Sequence, residues 1–168
     1  MYDELTQVDI DKMKEEIDYR TRVLRPQLIE EVQRTREYGD LSENFEYKCA
    51  KRDKNRNDSR VRYLERMIKT AKVIVPQTAK DDGISLFDKV KVFNEMTGEE
   101  MELQIVTALR QNILKGLISR ESPVGKALLG HHAGDRVQVT VSPELQYYVQ
   151  IRSAEKGEDD ASLEISKF

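Results

Sequence analysis

Apolar residues recur at helical spacing in the first part of the chain and alternate with polar residues in the rest. Spacings of three, four and seven residues are typical of helices that pack lengthwise on a partner. Gly39-Asp40 is the strongest breaker within this part, and Pro26 is expected to bend the first arm. The pattern predicts an antiparallel coiled-coil hairpin over residues 1–75, with its tip near 39–44. The two stripes are Ile10, Met13, Ile17, Leu24, Leu28 and Val32, then Val61, Leu64, Ile68, Ala71 and Val75.

A polar stretch over residues 76–83 predicts a linker, and the alternation that follows predicts a sheet. In Ser122–Gly130 a serine N-cap, a proline at the first helical position and a closing glycine predict one short helix. Residues 84–154 are therefore expected to form a compact α+β domain. The acidic residues 155–168 are expected to form a mobile tail. The predicted strands are 84–94, 100–107, 113–119, 135–141 and 145–154.

Composition narrows the class of protein. The chain has 168 residues, 35% of them charged, and a net charge of −3. This length excludes a large multidomain enzyme, and the single cysteine, Cys49, excludes an internal disulfide framework. The acidic N-terminus lacks the features of a signal peptide and no long apolar run occurs, so we expect a cytoplasmic protein with no membrane contact.

Charges are segregated along the predicted hairpin. Asp40, Glu43 and Glu46 lie at the turn, and a basic band lies behind it. The spacing Asp40-x-x-Glu43 favours a capping box over a metal site, although a capping carboxylate keeps lone pairs for a cation. For the band, a solvated helix face with ion pairs is the alternative to a nucleic-acid surface. The band comprises Arg36, Lys48, Lys51, Arg52, Lys54, Arg56 and Arg60.

Two motifs resemble those of one family. The segment Arg36-Glu-Tyr-Gly-Asp-Leu-Ser-Glu-Asn-Phe-Glu-Tyr47 resembles the hairpin turn of the bacterial Gre transcript cleavage factors, and Ser122-Pro-Val-Gly-Lys-Ala-Leu-Leu-Gly130 resembles their second signature. The resemblance covers about residues 8–154. It implies a coiled-coil hairpin followed by a small FKBP-like α+β domain. Phe45 departs from the family, which often has a small residue there.

The same resemblance implies a function. Such a factor is expected to bind bacterial RNA polymerase as a monomer, insert its hairpin into the secondary channel and stimulate cleavage of the 3′ end of backtracked RNA. By the same resemblance it is not expected to be an enzyme itself, because the polymerase active site would cleave the RNA. The alternative is a Gre-like homologue that binds polymerase and inhibits transcription without cleavage.

The resemblance also assigns roles to residues. Asp40 and Glu43 match the carboxylates expected to bind a second Mg²⁺ that is shared with the polymerase. Asn44, together with Ser42, is expected to orient the attacking water or the RNA. The bases expected to contact the RNA are Arg36, Lys51 and Arg52.

Overall fold

A computed structural model describes residues 4–40, 43–76 and 83–167. The chain divides into two compact units, one formed by Ile10–Ala71 and the other by residues 4–9 together with 72–167. The second unit thus contains both ends of the segment predicted as hairpin. Most of the predicted linker, residues 77–82, lies outside the described residues.

The first unit is a helical hairpin. Its first arm comprises α1 (Gln7–Tyr19, the first three residues of which belong to the second unit), a π-helical turn (Arg20–Leu24) and α2 (Arg25–Arg36). The second arm is α3 (Phe45–Thr70), about 39 Å long at 1.5 Å per residue. Pro26 lies in the first turn of α2, which continues directly from the π-helical turn, and it has no N–H to donate within the helical arm.

The hairpin core follows a seven-residue repeat along α3. Ala50 and Leu64 are buried one heptad either side of Asn57, and Met67 is buried one heptad after Arg60. Two members of the predicted stripe, Val61 and Ile68, are only half-buried. The buried stripe of α3 therefore keeps Leu64, has Arg60 and Met67 where Val61 and Ile68 were predicted, and contains two polar residues.

The second unit contains two sheets. The short strands β1 (Glu4–Leu5) and β2 (Lys72–Val73) pair in parallel. The larger sheet has the order β5-β4-β3-β7-β6, with β4 and β5 parallel and the other neighbours antiparallel. The predicted α+β class, a helical hairpin followed by a small mixed-sheet domain, is confirmed. The strands are β3 (Lys89–Asn94), β4 (Glu99–Val106), β5 (Leu117–Ser119), β6 (Arg136–Thr140) and β7 (Gln146–Glu155).

Side chains from both edges of this sheet meet in its core. Phe87, Val92, Ile105, Leu128 and Val139 are fully buried there. Leu128 comes from the predicted short helix, α4 (Pro123–Leu128), whose N-cap Ser122 accepts a hydrogen bond from the Gly125 N–H at 3.0 Å. None of the helices in the described ranges is long and apolar enough to cross a membrane.

Two predicted strands begin later than expected. The chain before β3 is folded back, because the Asp88 carboxylate accepts hydrogen bonds from the N–H and hydroxyl of Ser85. Before β5 the chain forms a 3₁₀ turn at Ile113–Lys115 that ends at Gly116. Gly116 has φ +71°, and a Cβ there would lie 2.7 Å from the Glu102 carbonyl oxygen. This position therefore requires glycine.

The C-terminal segment differs from the predicted mobile tail. Residues 156–167 pack on the second unit, where Lys156 Nζ and the Gly157 N–H donate to the Asp88 carboxylate. Leu163 packs against the core, and the Ser166 N–H donates to the Leu109 carbonyl at 2.6 Å. The acidic composition suggested a free tail. In the structure Leu163 packs on the core, and Lys156 and Asp159 form ion pairs with Asp88 and Arg110.

Candidate functional site

The hairpin turn presents two exposed carboxylates. Helix α2 ends at Arg36, and Gly39 follows in the left-handed region at φ +109°, which a residue with a Cβ adopts only with strain. Asp40 and Glu43 are both exposed on either side of two residues that are not described. The predicted role of Ser42 lies outside the described residues. The turn thus places the two predicted metal-binding residues at the solvent-facing end of the hairpin unit.

Asn44 holds this turn together. Its Oδ1 accepts the Tyr47 N–H at 3.0 Å, which caps α3, and its Nδ2 donates to the Thr35 carbonyl of α2 at 2.7 Å. The predicted capping box of Asp40 and Glu43 is wrong, because α3 begins at Phe45 and its N-cap is Asn44. Asn44 reaches both arms from this position. Both polar atoms of its amide are engaged, so its place in the structure is that of a clamp between the arms.

The two carboxylates fit a weakly held Mg²⁺. Carboxylate oxygens are ligands that Mg²⁺ prefers, and the ion is commonly bound by one or two protein carboxylates plus water and phosphate. Within the described ranges, three or more histidine, cysteine, aspartate or glutamate side chains nowhere gather into a potential metal site. Asp40 and Glu43 would therefore need ligands from a partner to complete a coordination shell.

Exposed aromatic rings flank the turn. Tyr38 is 57% exposed and Phe45 is 75% exposed. The Tyr38 ring lies along α2, where the Arg34 guanidinium stands 5.5 Å from its centroid and donates to its hydroxyl. Tyr38 therefore packs on its own helix, and Phe45 projects from the first turn of α3.

One face of α3 behind the turn is basic. Four bases line an open groove, and one of them, Arg52, also pairs with the adjacent Asp53 at 3.5 Å. Lys51 and Arg52 belong to this face, and Arg36 is exposed in the last turn of α2. Two residues of the predicted band do not line this groove. Arg60 is buried against Glu16, and Lys54 pairs with Asp58. The residues lining the groove are Lys48, Lys51, Arg52, Asn55, Arg56 and Ser59.

Two family models match almost the whole chain. The first, "Transcription elongation factor, N-terminal", matches residues 4–73, and the second, "Transcription elongation factor, GreA/GreB, C-term", matches residues 79–156. The chain belongs to the GreA/GreB family of transcription elongation factors. The family resemblance expected from the two sequence motifs is confirmed.

Two GreA proteins agree with this membership. Transcription elongation factor GreA of Thermoanaerobacter pseudethanolicus is 42% identical over 137 residues, which cover 82% of this chain and 87% of that protein. GreA of Mesoplasma florum is 41% identical over 135 residues, covering 80% and 86%. Among solved structures, GreA factor homolog 1 of Thermus thermophilus is 23% identical, with a TM-score of 0.42 and coverage of 93% and 100%.

Sequence reasoning missed a buried polar layer in the hairpin of this Gre-family chain. Glu16 and Arg20 of the first arm contact Asn57 and Arg60 of α3. One signal was available in the sequence. Asn57 falls seven residues from both Ala50 and Leu64, on a stripe where an apolar residue is expected.

Proposed function

We propose that this chain binds bacterial RNA polymerase, inserts its hairpin into the secondary channel and stimulates cleavage of the 3′ end of backtracked RNA. The observation that supports this proposal is the pair of exposed carboxylates, Asp40 and Glu43, at the end of a narrow two-helix unit. A two-helix arm is slender, and α3 alone runs about 39 Å, so such a probe suits a deep and narrow channel.

Asp40 and Glu43 would bind Mg²⁺ together with ligands of the polymerase and the RNA. When bound, a second Mg²⁺ supplies the activation of water that two-metal hydrolysis of a phosphodiester requires. The chain's own contribution is to place two carboxylates on a turn that Gly39 shapes and Asn44 holds. It is therefore a donor of ligands to the polymerase and not an enzyme, and we propose that it acts as a monomer in the cytoplasm.

The basic face of α3 suits the extruded RNA segment. The four bases of this face outnumber the one acid beside them, Asp53, so the face attracts a phosphate backbone without reading its sequence. Lys51 and Arg52 lie on this face within three turns of Glu43, and Arg36 is exposed on the other arm. We propose that these three bases contact the RNA 3′ segment while the carboxylates act at the scissile bond.

The proposal is tested on stalled, backtracked elongation complexes of the cognate polymerase. Wild-type protein is compared with Asp40→Asn/Glu43→Gln at several Mg²⁺ concentrations, and RNA shortening is measured on gels while binding is measured separately. The matched control is Glu30→Gln/Glu65→Gln, which removes two exposed carboxylates from the arms. We expect wild type and control to cleave equally, and the tip variant to bind normally but to need more Mg²⁺ for a slower reaction.

Two results would overturn parts of this proposal. If wild type binds polymerase without shortening the RNA, stimulation of cleavage is wrong and the chain is an inhibitor of the kind the sequence left open. If wild type cleaves and the tip variant cleaves equally well, Asp40 and Glu43 do not hold the metal.

A separate experiment tests the RNA contact. Lys51→Ala/Arg52→Ala should weaken crosslinking of the RNA 3′ segment to the hairpin. When the logarithm of the RNA-binding constant is plotted against the logarithm of the salt concentration, the line should become less steep by about 1.4, because two phosphate contacts are lost. The control is Arg62→Ala/Lys69→Ala, which removes two exposed bases from α3 outside the groove. An equal effect of the two pairs would mean that only overall charge matters.

A further inference from the structure

A buried polar layer crosses the hairpin near its middle. Asn57 is 3% exposed and Arg60 is 4% exposed, and they occupy the heptad positions that hold Ala50, Leu64 and Met67 elsewhere on α3. Apolar residues at those positions would stabilise a coiled coil at least as well. A polar residue at such a position instead restricts which register the helices adopt.

The layer joins one defined place on each arm. Asn57 Oδ1 accepts from Arg20 Nη1 at 3.1 Å, and Asn57 Nδ2 donates to the Arg20 carbonyl at 3.2 Å. The same carbonyl accepts the Arg25 N–H, which is the hydrogen bond of the π-helical turn. Asn57 therefore pairs with both the side chain and the backbone of one residue, at the one irregular turn of the first arm.

Glu16 completes the layer as a shared acceptor. Its carboxylate accepts from Arg20 Nε at 2.6 Å, from Arg60 Nε at 2.9 Å and from Arg60 Nη2 at 3.2 Å. Burial acts to raise the pKa of Glu16, but the hydrogen bonds and charges of Arg60 and Arg20 outweigh it and hold the pKa below its usual value. Glu16 is thus a carboxylate bridging two guanidinium groups, one from each arm.

A slip between the arms would break every contact of this layer that joins the two arms, whereas the Glu16–Arg20 pair lies within the first arm and would remain. Sliding by one helical turn moves a side chain about 5.4 Å along its partner. Asn57 would then lie away from the Arg20 carbonyl, and Arg60 would be buried without Glu16. Unpaired buried polar groups are strongly unfavourable, whereas side chains such as Leu64 tolerate a new neighbour.

We propose that Glu16, Arg20 and Asn57 are positioning residues that fix the register of the two arms and thereby the placement of Asp40 and Glu43. The arms are joined at the turn by residues 37–44, and next to their other ends β1 pairs with β2, so a local shift of one arm along the other must rearrange that turn. This inference rests on the proposed function, because the turn matters only if its carboxylates act on RNA.

The test measures register and cleavage on the same variants of the full chain. Spin labels are attached at Glu30→Cys and Asp53→Cys, both exposed, in a Cys49→Ser background, and the distance between labels is measured by pulsed electron paramagnetic resonance. Asn57→Leu removes the pairing but keeps a side chain with the same branching and the same number of non-hydrogen atoms. Glu16→Gln keeps the shape of the acceptor and removes its charge. The matched control is Gln33→Leu, an amide-to-leucine change at an exposed position of α2.

We expect one narrow distance distribution for wild type and Gln33→Leu, and a broadened or second population for Asn57→Leu and Glu16→Gln. In chains without labels, cleavage stimulation by the two network variants should fall by about 10-fold or more, because misplacing reacting groups by an ångström is costly. Polymerase affinity and helix content should stay unchanged.

Each of the other outcomes overturns one part of this proposal. A narrow, unchanged distribution in Glu16→Gln and Asn57→Leu means that the layer does not set register. A broadened distribution with unchanged cleavage means that register does not position the tip. If Asn57→Leu fails to fold, Glu16→Gln alone decides between these outcomes. If wild type itself does not stimulate cleavage, the proposed function fails while the distances still test register.

Discussion

Arg110 connects three segments of the second unit, and its replacement should destabilise that unit strongly. Its side chain and that of Asp9 are both fully buried. Arg110 Nε donates to Asp9 Oδ1 at 2.5 Å, and Nη2 donates to the Thr6 hydroxyl at 3.1 Å. On the other side its Nη1 lies 2.6 Å from Asp159 Oδ1, and the guanidinium stands 5.1 Å from the centre of the Phe87 ring.

The expected magnitude follows from this burial. Arg110→Met keeps an unbranched side chain beside Phe87 but leaves the Asp9 carboxylate buried without its counter-charge. Removing one partner of a buried pair costs about 3–5 kcal/mol in the free energy of unfolding. For a unit of about 100 residues, each kcal/mol corresponds to about 4–8 °C in the thermal midpoint. The midpoint of the second unit should therefore fall by at least about 12 °C.

The assay is calorimetry of the full chain, with hydrogen exchange of the β3–β7 sheet to assign the transition to the second unit. Arg152→Met is the matched control, because that arginine is exposed and stands 5.0 Å from the Phe93 ring. We expect the control to change stability by less than about 1 kcal/mol. Adding Asp9→Asn to Arg110→Met should recover part of the loss, because the more deeply buried of the two carboxylates left without Arg110 is then neutral.

The reasoning would be refuted by either of two results. If Arg110→Met and Arg152→Met lower the midpoint equally, burial of the pair adds nothing to the effect of losing a surface arginine. If Asp9→Asn deepens the loss in the double variant, the cost arises from packing and not from an unpaired charge.

Three further predictions concern the turn, the C-terminal segment and an exposed ion pair. Asn44→Ala should lower the free energy of unfolding by about 2 kcal/mol in urea titrations, from a lost cap and a lost bond between arms, and a loss under about 0.5 would contradict the clamp. Ending the chain after Glu155 should lower stability by about 2 kcal/mol in the same titrations, whereas an unchanged midpoint would mean that the segment contributes nothing. Hydrogen bonds from Arg136 and Gln150 lower the pKa of Glu95 from 4.5 to about 2. Its stabilising contribution is full above about pH 4.5 and is lost as pH falls towards 2, so wild type and Glu95→Gln should converge in stability near pH 2 and differ above pH 5.

The fold class and the hairpin turn could be predicted because both depend on short-range patterns. Heptad spacing in residues 10–32 and alternation after residue 84 report which faces are buried within each element. The breaker Gly39-Asp40 marks the turn for the same reason. The two carboxylates at the tip, Asp40 and Glu43, could be predicted because the motif that contains them is short and continuous in the sequence.

The clamp at the turn could not be predicted in the same way. Asp40-x-x-Glu43 satisfies the capping rule as a sequence, but Asn44 caps the helix because it also reaches the Thr35 carbonyl of the other arm. That second bond exists only once the arms are packed. The residue that caps α3 therefore depends on a contact between the two arms, which the local sequence pattern does not contain.

By itself, the sequence determined two units, the hairpin and its acidic tip, because helix and strand periodicity act over a few residues. Only the tertiary structure decided which charges are free and which are buried. In the sequence Arg60 is one of the seven bases of the predicted band, but in the structure it is buried against Glu16. Arg110 forms its buried ion pair with Asp9, which is 101 residues away in the sequence. Burial of a charge depends on neighbours that the chain brings together from a distance, and no local spacing records them.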